Sequence, residues 1–369
     1  MSKVIRRVVA LGLSAATDCF ARRVAAAGIE TFFIELTHEG KQFNRSSHIF
    51  QRKKTSLDLP LFRTGEGIAT VKSFVENVQA DAILSADDWI LTQLGKNRAE
   101  FEPRCVVLAP DPVMLERMWN KIHQAELAAS SGFDVLPSYV LTSEADVAFI
   151  PDNAFPVVVR PSDLNSAQPN FKAQVLNNRD DLTFLYNSTL WTRPPIVQSF
   201  RLAPNYILHG VRSLSGEFLA LRLFRAYRKY RGFCCSLEPM PLPAQLEAAA
   251  RQFIEQADVT GPFHFDLLAC KAEDKTYFLE INIRLGGSSG KVVELGFDEP
   301  GLMLAAFNVR PAIPLPPLRA HPRVTSLGLN FMQIWNDLRN RRDPLAYPQL
   351  PRFQSIVAAL SEVILVHRG

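Results

Sequence analysis

The chain has 369 residues, 47% of them hydrophobic and 21% charged, an ordinary globular composition that excludes an extended disordered chain. Eighteen glycines and 25 prolines without a triplet period exclude a collagen-like rod, and the length suits two or three structural units. A net charge of +4, from 41 Lys and Arg against 37 Asp and Glu, is too small to impose a nucleic-acid or membrane partner through a global field.

The five cysteines, at 19, 105, 234, 235 and 270, are odd in number and form no CxxC pair. A reducing, cytoplasmic setting is therefore expected. The apolar run from Val8 to Leu13 is too short for a signal peptide or a membrane span and reads instead as a buried strand.

From Arg7 the pattern is strand (RVVALGLS), alanine-rich helix (ATDCFARRVAAAG) and strand (IETFFIEL), followed by helix 67–79, strand 80–86 and strand 105–110. This alternation predicts an open parallel sheet covered by helices over residues 1–111. Gly12 and Ser14 stand at the carboxyl end of the first strand, but they are only a fragment of a dinucleotide fingerprint and read as a tight turn.

A helical segment then runs from 112 and closes on Gly132, ahead of strands VLPSYVLT and FPVVVRP and a polar stretch at 162–173. Strands PPIVQSF, NYILHGVRS and EFLALRLFRAY follow, and then helix 243–257 precedes FHFDLLACK and TYFLEINIRL, which read as a central hairpin. The expected class is α/β plus α+β, with units at 1–111, 112–190, 191–310 and 311–369. Five prolines at 310–322 predict an extended connector, after which LNFMQIWNDLRNRR reads as a helix and the last apolar segment as a strand or helix.

The segment FHFDLLACKAEDKTYFLEINIRLGGSSGK carries the most chemistry. Glu280, Asn282 and Arg284 are spaced by two, so on a strand they share one face, and Asp266 falls on the neighbouring strand opposite Glu280. Two carboxylates and an amide oxygen suit Mg²⁺, a hard cation that commonly takes one or two carboxylates together with phosphates. Arg284 suits a phosphate or carboxylate held bidentately. Polar side chains at a strand end before a glycine turn are typical of active sites, whereas an isolated E-x-N-x-R is more often the wet face of a half-buried strand.

These residues resemble the metal strand of the ATP-grasp ligases, and most closely their carbamoyl-phosphate-synthetase-like branch: FLEINIRLGG matches the family's pattern, with Asp266 as the upstream ligand. The resemblance extends through IVQSFRLAPNYILHGV, FPVVVRP and NKIHQAELAASSGFDVLPSYVLT and covers about residues 5 to 310, with the N-terminal unit similar to the family's pre-grasp domain.

It implies that Asp266, Glu280 and Asn282 hold Mg²⁺ and that Lys121 and Arg160 contact ATP. Gln198, Ser199, Asn205 and His209 fall on the implied nucleotide side, while Arg284 and Arg222 would act on the phosphoryl group or the acyl phosphate. The implied activity joins a small-molecule carboxylate to an amine or another nucleophile, with an anionic substrate and a homodimer both compatible. A grasp-fold binding protein with a weakened nucleotide site is the alternative.

The family's glycine-rich phosphate loop is replaced here by SDLNSAQPNFKA, Ser199 stands where a glutamate is usual, and Asn205 replaces the acidic ribose contact. LRLFRAYRKYRG, 221–232, has five basic residues and no acid. It suits either an anionic substrate or a solvated basic face, and as a lone patch in a near-neutral chain it gives little support to RNA binding. His209 suits a satisfied, half-buried histidine as well as a nucleotide contact, and His264 shares a face with Asp266 and is placed to orient it.

Overall fold

The computed structural model describes residues 4–38, 41–42, 54–58, 66–164, 166–169, 171–309, 323–341 and 343–366. The proline-rich connector expected at 310–322 lies outside them. Among the described residues the chain forms three sheets and a small two-stranded ribbon.

The first sheet contains β1 (Arg7–Leu11), β2 (Glu30–His38), β3 (Lys41–Gln42), β4 (Lys54–Asp58), β5 (Ala82–Ser85) and β6 (Val106–Val107). β4 lies beside β2, followed by β1, β5 and β6, and all these pairings are parallel; β3 joins β2 antiparallel. Helices α1 (Ala15–Ala25), α2 (Glu66–Asn77) and α3 (Asp88–Lys96) complete the open α/β unit expected from the alternation. The turn into α1 is tight because Gly12 takes φ +89, and Ser14 then caps the helix by accepting a hydrogen bond from the Thr17 amide. Asp87 caps α3 in the same way through Ile90 N, which puts Asp88 in its first turn.

Helices α4 (Pro112–Arg117) and α5 (Lys121–Ser130) lead into the rest of the chain. Asn120 caps α5 by accepting from the amides of Ile122 and His123, and this makes Lys121 its first residue. Next come β7 (Asp134–Val135), β8 (Ser138–Val140), β9 (Val157–Arg160), β10 (Ala167–Gln168), β11 (Gln174–Leu176), α6 (Arg179–Ser188), β12 (Leu190–Trp191) and β13 (Ile196–Ser199). Strands β11, β9, β13 and β8 form an antiparallel sheet in that order, and β10 pairs with β12. This small lobe has its own core, which includes Val157, Val159, Leu182 and Val197.

The large sheet is built from β14 (Asn205–Arg212), β15 (Phe218–Tyr230), β16 (Phe233–Met240), β17 (Gly261–Cys270), β18 (Lys275–Asn282) and β19 (Val324–Thr325), with β7 at its far edge. Helix α7 (Ala244–Gln256) covers one face, where Phe133, Phe253, Phe265 and Phe278 meet with ring centroids 5.2 to 6.4 Å apart. Burying a side chain of this size contributes about 1.5–3 kcal/mol, so the cluster fixes β17 and β18 firmly. The other face packs on α8 (Ser289–Glu294), α9 (Glu299–Ala306) and the first unit, with Phe20, Ile207, Phe224 and Phe297 in one core.

The end of the described chain is helical: α10 (Leu327–Leu338) packs on α11 (Arg352–Val366), so the final apolar segment is a helix. β19 ties this extension to the large sheet, where Ser236 Oγ donates to Glu362 (2.7 Å) and shares a hydrogen bond with Thr325 Oγ1 (2.8 Å). Among the described residues no helix is long and apolar enough to cross a membrane, and no disulfide joins the five cysteines.

Candidate active site

Strand alternation places Ile281 and Ile283 in the core and turns Glu280, Asn282 and Arg284 toward a cleft of about 450 Å³. Across the β17–β18 ladder Asp266 pairs with Glu280 and His264 with Asn282, so the hairpin brings the two carboxylates together. Asn282 Nδ2 donates to Asp266 Oδ2 (3.3 Å), and Arg284 Nη2 donates to Asn282 Oδ1 (3.2 Å). Arg284 also forms an ion pair with Asp88 of α3 (2.8 Å), so the N-terminal unit supplies one wall.

Glu280 is held by two cations. Arg160, at the end of β9, donates to its Oε2 and, through Nη1, to the Leu279 carbonyl (3.0 Å). Lys121 Nζ lies 3.6 Å from the same carboxylate oxygen. Burial drives the Glu280 carboxyl upward, but the fields of Arg160, Lys121 and Lys172 together outweigh it and hold the group at about 2. Asp266 has no such contact: burial and then the Glu280 charge push it up to about 6. Burial lowers the Lys121 ammonium against the opposing pull of Glu280, and burial, then His209 and Arg284, depress His264 well below its ordinary value. His264 is therefore neutral.

This donor set fits a hard divalent cation. Among the described residues no three His, Cys, Asp or Glu side chains converge as a ligand cluster. Two carboxylates and one amide oxygen leave most of an octahedral sphere for phosphate and water, as Mg²⁺ prefers. The raised Asp266 carboxyl beside Glu280 marks negative charge that a bound cation would relieve.

A second cavity of about 420 Å³ shares Lys121 with the first and is lined by Arg160, Gln198, Ile122, Leu136 and Leu279 among others. Gln198 donates to Ser138 Oγ (2.8 Å), and Ser199, the last residue of β13, does not line this cavity. Thus the structure brings together Lys121, Arg160, Gln198, Asp266, Glu280, Asn282 and Arg284 around two cavities that share Lys121.

Other expected contacts are corrected. His209 is fully buried, with Nδ1 2.8 Å from Glu299 and Nε2 3.0 Å from Ser288 Oγ, so neither ring nitrogen is free for a nucleotide. It lies behind the cleft and stacks on His264 at 5.1 Å. Arg222 is solvent-exposed and outside the cleft lining, which removes it from the reacting groups. Asn205 Oδ1 accepts from Lys229 Nζ (2.8 Å), so its amide oxygen is already engaged.

The basic segment 221–232 is mostly neutralised or hydrogen-bonded within the protein. Arg225 pairs with Glu238, and buried Arg228 donates to Asn330 (2.9 Å) and Gln333 (2.5 Å) of α10.

The described residues of the glycine-free stretch 162–173 are anchored. Its β10 pairs with β12, Asp163 pairs with Arg193 (3.1 Å) and Phe171 packs on Trp191 at 5.7 Å. It delivers Lys172 to the cleft, with Nζ over the Phe233 ring at 5.2 Å. Nothing in the strand periodicity singles out Lys172, Asp88 or Lys291, because each comes from outside the alternating strands. A lysine in the phosphate-loop segment was the one available signal for Lys172.

No protein-family model and no curated relative matches the sequence. Solved structures do match. The chain superimposes on the ADP complex of N5-carboxyaminoimidazole ribonucleotide synthetase with a TM-score of 0.68, at 12% identity, over 100% of this chain and 98% of that one. The biotin carboxylase domain of 2-oxoglutarate carboxylase from Hydrogenobacter thermophilus, described with MgADP and bicarbonate, gives 0.66 at 15% identity over 87% and 74%. L-amino acid ligase from Bacillus licheniformis gives 0.60 at 13% identity over 83% and 75%. All three are ATP-grasp ligases. The layered architecture and these superpositions establish that the chain has the ATP-grasp fold.

Proposed function

We propose that the protein is an ATP- and Mg²⁺-dependent ligase that activates a small carboxylic acid for attack by an amine. The observation that carries this reading is the convergence of Asp266, Glu280 and Asn282 on one face of the β17–β18 hairpin, beside Lys121, Arg160 and Lys172. The apolar part of the second cavity, with Ile122, Leu136 and Leu279, suits a nucleobase, and Lys121, which lines both cavities, supports a pose with the phosphates toward the carboxylates. The structural neighbours crystallised with ADP or MgADP support the same ligand.

Bound Mg²⁺ would neutralise phosphate charge and align the phosphoryl group. The protein's part is positional and electrostatic: Lys121, Arg160 and Lys172 balance the phosphates, and Arg284, fixed by Asp88 and Asn282, faces the carboxylate to be activated. Phosphoryl transfer to that carboxylate gives an acyl phosphate and ADP. Attack by an amine then forms the amide and releases phosphate. A cytoplasmic enzyme is consistent with five cysteines that form no disulfide among the described residues.

The test is release of ADP and phosphate from Mg·ATP across a pool of amino acids and sugar acids. Turnover that needs an acid and an amine together, and is lost in Glu280→Ala, supports the ligase. No turnover in any pairing, or equal rates in the variant, contradicts it and favours a grasp-fold binding protein.

A further inference from the structure

Lys291 follows the Gly-Gly-Ser-Ser-Gly turn and lines the 450 Å³ cleft together with Gly287, Ser288, Phe233, Cys234 and Leu329. Its environment differs from that of the cleft cations that pair with carboxylates; Lys172 lies instead over the Phe233 ring. Lys121 and Arg160 share Glu280, and Arg284 has Asp88. Among the described residues no carboxylate lies within ion-pair distance of Lys291; the titratable groups that act on it are Cys234, Cys235 and the exposed Glu294. Burial pushes the Cys234 thiol up to about 12 and Cys235 to about 11, so both are neutral and give no counter-charge.

A partly buried ammonium with no carboxylate close enough to pair with it is costly unless a ligand supplies an anion. The surrounding wall is built to be rigid. Ser288 Oγ is fixed by His209, and Leu329 comes from α10, which Arg228 pins through Asn330 and Gln333. Phe233 and Leu329 make that wall apolar.

We propose that Lys291 forms an anion subsite of the substrate pocket, holding a negatively charged group other than the carboxylate activated at Arg284. The substrate is thus a compact molecule with two anionic groups, its carbon skeleton lying against Phe233 and Leu329. The C-terminal extension takes part in substrate selection by contributing Leu329. This deepens the ligase reading and rests on it for which carboxylate is activated, but the anion contact itself does not require turnover.

The test is calorimetric titration of the full chain with L-glutamate and O-phospho-L-serine as anionic probes and L-glutamine and L-norleucine as neutral ones, with and without saturating Mg·ADP. Comparison of the first two tells carboxylate from phosphate. The expected result is binding of at least one anionic probe about tenfold or more tighter than the neutral pair, loss of that preference in Lys291→Gln and its recovery in Lys291→Arg. Mg·ADP binding is expected to be equal in all three proteins. Absence of anionic preference in the wild type, or its persistence in Lys291→Gln, overturns the subsite. Loss of Mg·ADP binding in the wild type overturns the ligase reading instead, and the nucleotide-free titrations then still decide the subsite.

Discussion

Arg160 donates a hydrogen bond to Glu280 across the cleft, tying the small-lobe strand β9 to the β18 strand of the large sheet. The cation suited to phosphate and the carboxylate suited to Mg²⁺ hold each other in this structure, with Lys121 3.6 Å from the same oxygen. Under the proposed function, Mg²⁺ and phosphate would exchange partners within this prearranged cluster.

Glu280→Gln removes the charge that both cations share. Loss of a charge-assisted hydrogen bond typically costs about 1.5–3 kcal/mol, and the variant is expected to unfold in less urea by a comparable amount. An unchanged midpoint would mean that the pair is solvent-screened and structurally idle.

The two carboxylates carry opposite pH signatures. Asp266, raised to about 6, is more easily protonated folded than unfolded, so through this group stability falls as pH rises from about 4 to 6. Glu280, lowered to about 2, contributes stability above its unfolded value near 4.5 that is lost as pH falls toward 2. Asp266→Asn removes the first penalty. Without Mg²⁺ it is expected to melt higher than wild type at about pH 7.5 and to match it at about pH 4, and added Mg²⁺ should narrow the gap by stabilising only the wild type. A variant less stable than wild type at neutral pH would contradict this.

Gly286 and Gly287 make a matched pair. A Cβ at Gly286 would lie 2.4 Å from His264 Cε1, whereas one at Gly287 meets nothing within 4 Å. Gly286→Ala must displace a ring stacked on His209, at a cost of about 1–3 kcal/mol, and should slow turnover because Arg284 lies two residues away. Gly287→Ala is expected to stay within about 0.5 kcal/mol of wild type. Thermal melts and ADP release on both variants make the comparison.

Arg228→Met leaves Asn330 and Gln333 without their donor in a buried site. Destabilisation of about 2–4 kcal/mol is expected, with faster hydrogen exchange in α10 and α11. Normal stability with only a raised KM would return Arg228 to the substrate.

Much of this was legible in the sequence because strand periodicity is local. The period of two put Glu280, Asn282 and Arg284 on one face, and the hairpin pattern put Asp266 opposite, as the register shows. Lys121 and Arg160 came from the family resemblance rather than from periodicity. What failed depended on distant partners. Alternation places His209 on a face but does not say that Glu299 and Ser288 close over it. The basic segment looked free because its partners Glu238, Asn330 and Gln333 arrive from another strand and from the C-terminal helices. Lys172 and Lys291 sit outside the strands, where spacing gives no direction.

The most direct test is calorimetric titration of a non-hydrolysable Mg·ATP analogue into wild type and into the Asp266→Asn, Glu280→Gln double variant, each checked for folding by its melt. Saturable binding of one analogue per chain, weakened about tenfold or more in the folded double variant, is the expected result. No binding to the wild type, or equal binding to both proteins, would contradict a Mg·nucleotide site at Asp266, Glu280 and Asn282.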